Sequence, residues 1–131
     1  MKEKIILLVE DNEDDIFLTQ RALDKTVVPH RLVVVRDGVE ALDYLFAEGC
    51  INGEDNLPDV VFLDLKLPRV DGFQVLKEIR SHEKTSHLPV KIFTSSSQDE
   101  DIAMANQLGA TSYSVKPTNA REYYDLIEKL L

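Results

Sequence analysis

Residues 60–64 read Val60-Val61-Phe62-Leu63-Asp64, four apolar residues followed directly by an acid. Because apolar and polar residues do not alternate in this run, it predicts a strand that is buried on both faces, as in a parallel sheet covered by helices. Of the other strand-like segments, Lys4–Val9 and Val90–Phe93 also lack the alternation of apolar and polar residues. The remaining strand-like segments are Leu32–Arg36 and Ser112–Val115.

Helical patterns separate the strands, with apolar residues recurring every three or four positions. The apolar stripes are Ile16, Leu18, Ala22 and Leu23 within Asp15–Lys25; Val39, Leu42, Leu45 and Phe46; Val75, Leu76 and Ile79; Ile102, Ala105 and Leu108; and Tyr123, Leu126, Ile127, Leu130 and Leu131. Five successive strand-then-helix units predict an α/β protein with helices on both faces of a parallel sheet. We expect residues 1–131 to form one such domain. The segment from Glu48 to Leu57 is longer than a helix-to-strand connection needs, and it predicts a surface loop without an assigned role.

Composition limits the classes of function. The chain has 24 acidic and 15 basic residues and a formal net charge of −9, which argues against binding the phosphates of nucleic acid. No run approaches the roughly 18 apolar residues of a membrane helix, and the apolar start is too short for a signal peptide. A single cysteine, Cys50, cannot form an internal disulfide, which suits a reducing compartment. We therefore expect a cytoplasmic protein that binds neither nucleic acid nor membrane.

Polar residues close the predicted strands. Glu10 and Asp11 follow the first strand, Asp64 the third, Thr94 the fourth and Lys116 the fifth. In parallel α/β sheets these ends share one edge, where ligands bind. Converging carboxylates repel each other unless a cation lies among them, and their oxygens suit Mg²⁺. Aspartate can accept a phosphoryl group, a transfer that requires positioning and charge neutralisation. The pattern predicts a Mg²⁺-dependent phosphate acceptor at Asp64, with Lys116 supplying positive charge and Thr94 a hydrogen bond.

Simpler structural explanations remain open for these residues taken one at a time. Asp11 could cap the first helix, since aspartate is favoured at that position. The acids Glu13, Asp14 and Asp15 could form a solvated helix start that the helix dipole favours. Asp64 alone could cap a turn.

Four sequence blocks together resemble the response-regulator receiver family. In the family's order and spacing, they lie at Leu7–Asn12, at Val61–Pro68 with Asp71-Gly72, at Phe93–Ser95 and at Val115–Pro117. The resemblance runs from Lys4 to the final helix. It implies a flavodoxin-like, doubly wound fold with strand order 2-1-3-4-5, and a phosphorylation-operated switch in a two-component phosphorelay. The long loop and Glu10–Asp15 are also similar to single-domain regulators that accompany bacterial phytochromes.

The resemblance implies a phosphorylation and metal site. Asp64 would accept the phosphoryl group. Asp11 would bind Mg²⁺ directly, Glu10 would bind it through water, and the backbone carbonyl of Lys66 would complete the protein ligands. Mn²⁺ could substitute for Mg²⁺.

The resemblance also implies how the phosphoryl group would be sensed. Lys116 would pair with it, Thr94 would move toward it, and Tyr113 would turn inward with Thr94. Pro117 would follow a cis peptide bond that helps to aim Lys116. The readout surface would be the fourth helix, fifth strand and fifth helix.

Partners follow from the same resemblance. No Gly-x-x-x-x-Gly-Lys-Ser/Thr loop is present in the sequence, so phosphate must come from a sensor histidine kinase or a phosphotransfer protein. The output would be binding of an unknown downstream protein, and phosphorylation would allow pairing of two copies through the fourth-helix to fifth-helix face. Only self-directed phosphoryl transfer and autodephosphorylation are expected, not turnover of a separate substrate.

Three other functions compete with the switch. A haloacid-dehalogenase-type phosphatase needs a second acid two residues after its nucleophile, where this chain has Lys66. A flavin-binding domain needs an uncharged phosphate loop, whereas Glu10–Asp15 is acidic. A degenerate receiver would lack site residues. His82 echoes the histidine box of sensor kinases but has no room for the long helix of that box, and His30 and His87 are expected to be solvated loop residues.

Overall fold

The computed structural model describes residues 3–46 and 57–131. Within these ranges, five strands alternate with five helices along the chain. In order, the elements are β1 (Lys4–Val9), α1 (Glu13–Asp24), β2 (His30–Val35), α2 (Gly38–Phe46), β3 (Val60–Leu63), α3 (Gly72–Ser81), β4 (Val90–Thr94), α4 (Asp99–Gln107), β5 (Ser112–Val115) and α5 (Ala120–Leu130). Among the helices of the described ranges, none combines the length and the apolar composition of a membrane-spanning segment. The expected loop from Glu48 lies, except for Leu57, outside the described residues.

All neighbouring strands of the sheet are parallel, in the order β2-β1-β3-β4-β5. The predicted flavodoxin-like, doubly wound fold is therefore confirmed. Val9 pairs with Leu63, and Leu63 pairs with Ile92, so β1, β3 and β4 end nearly level with one another. The strand order reverses at β1 and β3, and the residues after these two strands face the crevice where such sheets bind ligands.

The central strands are buried on both faces, which explains why their apolar residues do not alternate with polar ones. In β1, Leu7 and Val9 join the core cluster beneath α2, α3 and α4, whereas Ile6 and Leu8 join the cluster beneath α1 and α5. All four side chains are at most 1% exposed. Burying one such side chain stabilises the fold by about 1.5–3 kcal/mol, so the two clusters fix the sheet that carries the site.

Four helices begin with a side-chain cap, and in α2 the side chain of Asp37 accepts from the backbone N–H of Glu40 at 2.8 Å. The side chain of Asn12 accepts a hydrogen bond from the backbone N–H of Asp15, and Asp71 and Asn119 cap α3 and α5 in the same way. Asp11 is thus not the cap of α1, because Asn12 fills that role and leaves Asp11 exposed at the carboxyl edge of the sheet. The elements also shift slightly from their expected bounds: α1 begins at Glu13 instead of Asp15, and β2 begins at His30.

Candidate functional site

Three carboxylates converge where β1 and β3 end. Glu10, Asp11 and Asp64 each place one oxygen within 4.8 Å of the others. Glu10 is 1% exposed and Asp64 is 6% exposed, whereas Asp11 faces solvent. Burial raises the pKa of Glu10 to about 7, although a hydrogen bond from Lys116 opposes the rise. Buried, converging carboxylate oxygens with one solvent-facing member are the donor set that a hard divalent cation takes, with water completing its shell.

Lys116 follows β5 and extends its ammonium group into this cluster. Its Nζ lies 2.6 Å from Glu10 Oε1, 2.8 Å from Asp15 Oδ2 and 3.0 Å from Asp64 Oδ2. Its side chain is only 7% exposed. Burial alone would lower the pKa of Lys116, but hydrogen bonds to Asp15 and Glu10 outweigh burial and raise it, so the amine stays charged. One ammonium cannot neutralise the four carboxylates of the region, and the site retains an excess of negative charge.

Asp15 is a site residue that the sequence interpretation missed. The expectation of a solvated helix start fits Glu13 and Asp14, which are exposed, but is wrong for Asp15. Its Oδ2 pairs with Lys116, and its Oδ1 accepts a hydrogen bond of 2.9 Å from the hydroxyl of Tyr123 in α5. A signal was present: Asp15 lies next to Ile16 and one turn before Thr19, on the buried stripe of α1.

The segment after β3 is closely packed around Asp64. The backbone N–H of Gly72 donates to Leu65 O at 3.0 Å, and a Cβ added to Gly72 would lie 2.2 Å from Asp64 O. The backbone N–H of Lys66 donates to Asp64 Oδ1 at 3.3 Å, while the Lys66 side chain is exposed. These contacts fix the acceptor loop, and the role of the Lys66 carbonyl as a metal ligand stays a prediction.

Thr94 and Tyr113 both contact the segment that joins β4 to α4. Thr94 is fully buried as the last residue of β4, and its Oγ1 accepts a bond of 3.4 Å from the backbone N–H of Ser96. The Tyr113 hydroxyl donates to Ser96 O at 2.9 Å, and Ser96 Oγ donates to Asp101 Oδ2 at 2.5 Å. Ser96 therefore joins the predicted switch pair through its backbone and ties both to the first turn of α4.

Two minor expectations are wrong. The described residues contain no cis peptide bond, so the bond before Pro117 is trans; X–Pro bonds favour trans by about 0.5–1 kcal/mol, and Lys116 reaches the cluster in this form. His30 is not a solvated loop residue, since it begins β2 with a side chain 15% exposed, 3.6 Å from Asp24. His82 is the C-cap residue that follows α3, stacks on Phe46 at a centroid distance of 4.2 Å, and lies in no long helix.

A flavodoxin-like sheet with buried acids and a lysine at its carboxyl edge is the arrangement of α/β signalling domains that accept a phosphoryl group. The family model of the response regulator receiver domain matches residues 6–128, and the chain belongs to this family. As expected from the sequence blocks, the resemblance spans nearly the whole chain. Members of this family are phosphorylated by histidine kinases and act as signalling switches.

Curated relatives and solved structures agree with this assignment. The probable methanogenesis regulatory protein FilR2 of Methanothrix harundinacea is 39% identical over 127 residues, covering 96% of this chain and 80% of FilR2. Response regulator Rcp1 of Synechocystis sp. is 32% identical over 125 residues, covering 95% of this chain and 84% of Rcp1. The crystal structure of phosphorylated RcpA, a cyanobacterial phytochrome response regulator, has a TM-score of 0.91 at 39% identity and covers 98% of this chain and 91% of that one. The Mn²⁺-bound form of Rcp1 has a TM-score of 0.85 at 31% identity, covering 97% and 91%.

Proposed function

We propose that the chain is a cytoplasmic receiver that accepts a phosphoryl group on Asp64 from a histidine kinase or a phosphotransfer protein. One observation carries this proposal: Lys116 Nζ lies 3.0 Å from Asp64 Oδ2, beside Glu10 and Asp11, which join Asp64 in a cation-binding arrangement. Positive charge beside the acceptor is what phosphoryl transfer to a carboxylate requires.

Each residue of the site has a separate role in the phosphoryl transfer. An oxygen of Asp64 forms a bond to phosphorus while the P–N bond of the donor phosphohistidine breaks and the imidazole leaves. Lys116 compensates the charge on the phosphoryl oxygens. Mg²⁺, or Mn²⁺ in its place, would be held by Glu10, Asp11, Asp64 and the Lys66 carbonyl, and it supplies further positive charge to those oxygens. These groups position the reacting atoms and neutralise the charge on the phosphoryl oxygens, which is what the transfer to Asp64 requires.

Through Thr94 and Tyr113, phosphorylation of Asp64 changes the surface of the protein. A movement of the buried Thr94 hydroxyl toward the new phosphoryl oxygen would alter the bond that it accepts from Ser96 N–H. Tyr113 holds the same residue through Ser96 O, so both contacts respond together. This is a small bistable element biased by local charge. The readout face, made by α4, β5 and α5, presents Met104 at 45% and Val115 at 42% exposure to a protein partner.

Intact mass after incubation with Mg²⁺ and a small acyl phosphate tests the acceptor. We expect one labile phosphate on the wild type, and none with Asp64→Asn or with a chelator. Asp14→Asn, which removes an exposed acid of α1, is the matched control and should label like the wild type. Rapid multiple turnover of the donor would favour a phosphatase, and an unlabelled wild type would contradict the proposal.

Light scattering on the same samples tests the output. Phosphorylation is expected either to shift the mass toward a dimer that forms through α4 and α5, or to leave a monomer competent to bind its target. Loss of the dimer in a Met104→Glu variant, with labelling unchanged, would place the contact on this face.

A further inference from the structure

We propose that Asp15 is a positioning residue for phosphoryl transfer: held by Tyr123, it fixes the ammonium group of Lys116 beside Asp64. This inference rests on the proposed function and deepens it. The Asp15 carboxylate is shared between two donors, since Oδ2 lies 2.8 Å from Lys116 Nζ and Oδ1 accepts the Tyr123 hydroxyl at 2.9 Å. A carboxylate held through both oxygens has one orientation, which it imposes on the ammonium group.

Asp15 differs from the other two carboxylates around Lys116. Glu10 and Asp64 belong to the cluster whose oxygens lie within 4.8 Å of one another and suit a divalent cation, and Asp15 lies outside that cluster. A cation that draws on Glu10 and Asp64 competes with Lys116 for their oxygens. Asp15 is then the one of the three carboxylates whose contact with the ammonium group does not compete with the cation. The geometry therefore assigns it the task of keeping Lys116 in place while the metal site is used.

Tyr123 provides a rigid support for this contact. Its side chain is 1% exposed, and its ring packs edge to face on Phe93 with centroids 5.2 Å apart. Burial, together with the charge of Asp15, raises the pKa of the Tyr123 phenol, so the hydroxyl stays protonated and donates. Phe93 directly precedes Thr94 in β4, which places the support against the same strand as the switch threonine.

The Asp15 contact also joins three elements that are distant in sequence. Asp15 lies in the first turn of α1, Lys116 follows β5, and Tyr123 lies near the start of α5. The Asp15 side chain is 22% exposed, in contrast to 84% for Glu13 in the same turn. Such a half-buried carboxylate between two donors is costly to leave unpaired, which favours keeping all three groups in register.

Initial rates of phosphorylation, measured by intact mass against the concentration of a small acyl phosphate at saturating Mg²⁺, test the role. We expect Asp15→Asn to lower the maximal rate about tenfold, because a displaced ammonium group stabilises the transfer poorly, with little change in the half-saturating donor concentration. Tyr123→Phe removes one oxygen and no charge, and it should lower the maximal rate about threefold. The double variant should be no slower than Asp15→Asn, since Tyr123 acts through Asp15. Asp14→Asn is the charge-matched control.

Several results would overturn the positioning role. A faster Asp15→Asn together with an unchanged Tyr123→Phe would mean that only local charge matters. Additive losses in the double variant would mean that the two residues merely support folding.

Without metal or donor, the Tyr123 ¹³Cζ NMR signal should shift in Asp15→Asn and stay in place in Asp14→Asn; no shift would rule out the contact. An unlabelled wild type would overturn the proposed function itself, whereas a labelled wild type with equal Asp15→Asn and Asp14→Asn rates would overturn only this inference.

Discussion

Lys116 and Lys91 come from neighbouring strands of one sheet, but their ammonium groups lie in opposite surroundings. Burial would lower the pKa of either amine. Around Lys116 three carboxylates outweigh burial and raise the pKa. Lys91 instead donates to the backbone carbonyl of Leu130 at the end of α5, and burial, with the charge of Lys4, lowers its pKa. The surroundings of the first lysine therefore stabilise its charge, whereas those of the second oppose it.

The same contrast separates the two edges of the sheet. At the amino edge, polar side chains end on neutral backbone carbonyls: Arg80 donates to Leu88 O at 2.6 Å and to Gly109 O at 2.9 Å, and Thr85 donates to Ile79 O at 2.6 Å. At the carboxyl edge, buried charges outnumber their partners. We infer that substitutions at the amino edge change stability alone, whereas those at the carboxyl edge change stability and phosphorylation together.

The largest effect is expected for the two lysines themselves. Lys116→Met should lower the free energy of unfolding by about 3–5 kcal/mol in the presence of a chelator, because it leaves buried carboxylates without their cation. Lys91→Met should cost only about 1 kcal/mol, the value of one hydrogen bond. Urea unfolding of both variants measures the difference. Equal losses would show that the charges at the carboxyl edge are not coupled to folding.

A pH dependence specific to the carboxyl edge is the next largest effect. Burial raises the pKa of Glu10 from 4.5 to about 7 in the folded state, so the folded chain holds this proton more tightly than the unfolded chain. Protonated Glu10 therefore adds to the free energy of unfolding. This contribution is complete below pH 4.5 and is lost as the pH rises through about 7, which lowers the free energy of unfolding by up to about 3 kcal/mol. Urea unfolding between these pH values, in a chelator, should show this loss in the wild type and in Glu13→Gln. Glu10→Gln should show a flatter curve, and curves of identical slope would refute the assignment.

Arg80→Met tests the amino edge at a smaller magnitude. Removing the guanidinium leaves the carbonyls of Leu88 and Gly109 without this donor, and the free energy of unfolding should fall by about 2 kcal/mol. Phosphorylation of the folded variant should stay within about twofold of the wild type. A large loss of phosphorylation at full folding would mean that the two edges are coupled through α3 or β4.

The smallest effect has the opposite sign. With Mg²⁺ chelated, Asp64→Asn should raise the free energy of unfolding by about 1 kcal/mol, because it removes one repelling charge beside Glu10. Adding Mg²⁺ should stabilise the wild type more than the variant, since the variant has lost a ligand. Thermal unfolding with and without the metal measures both. A clear loss of stability for the variant in chelator would contradict this balance of charges.

The fold and most of the candidate site could be predicted because both depend on local rules. Apolar runs without period-two alternation marked β1, β3 and β4. Parallel strands then bring their final residues to one edge of the sheet, independently of the loops between them. Glu10, Asp11, Asp64 and Lys116 could therefore be placed together without knowing any side-chain contact. Thr94 followed from the same rule, as the last residue of β4.

Other features depend on packing between distant segments, which a sequence pattern does not contain. In the sequence, Asp15 is one of three adjacent acids. Its role depends on the packing of α5 against α1, which places the Tyr123 hydroxyl on its carboxylate. The cap of α1 required a choice between Asp11 and Asn12, adjacent residues that are both favoured at such positions. The burial of His30 depended on how far β2 extends along β1.

Gly72 has a consequence for mutational tolerance in this chain. Its Cα approaches the backbone of Asp64 so closely that no side chain fits, and Gly38 approaches Val70 in the same way, with 1.9 Å between an added Cβ and Val70 O. A saturation library should therefore accept almost nothing at these two positions, even though neither has a side chain that could act. Exposed residues between them, such as Lys66 and Pro68, should tolerate exchange. A library meant to vary this loop while keeping the fold should therefore spare both glycines and change those exposed positions.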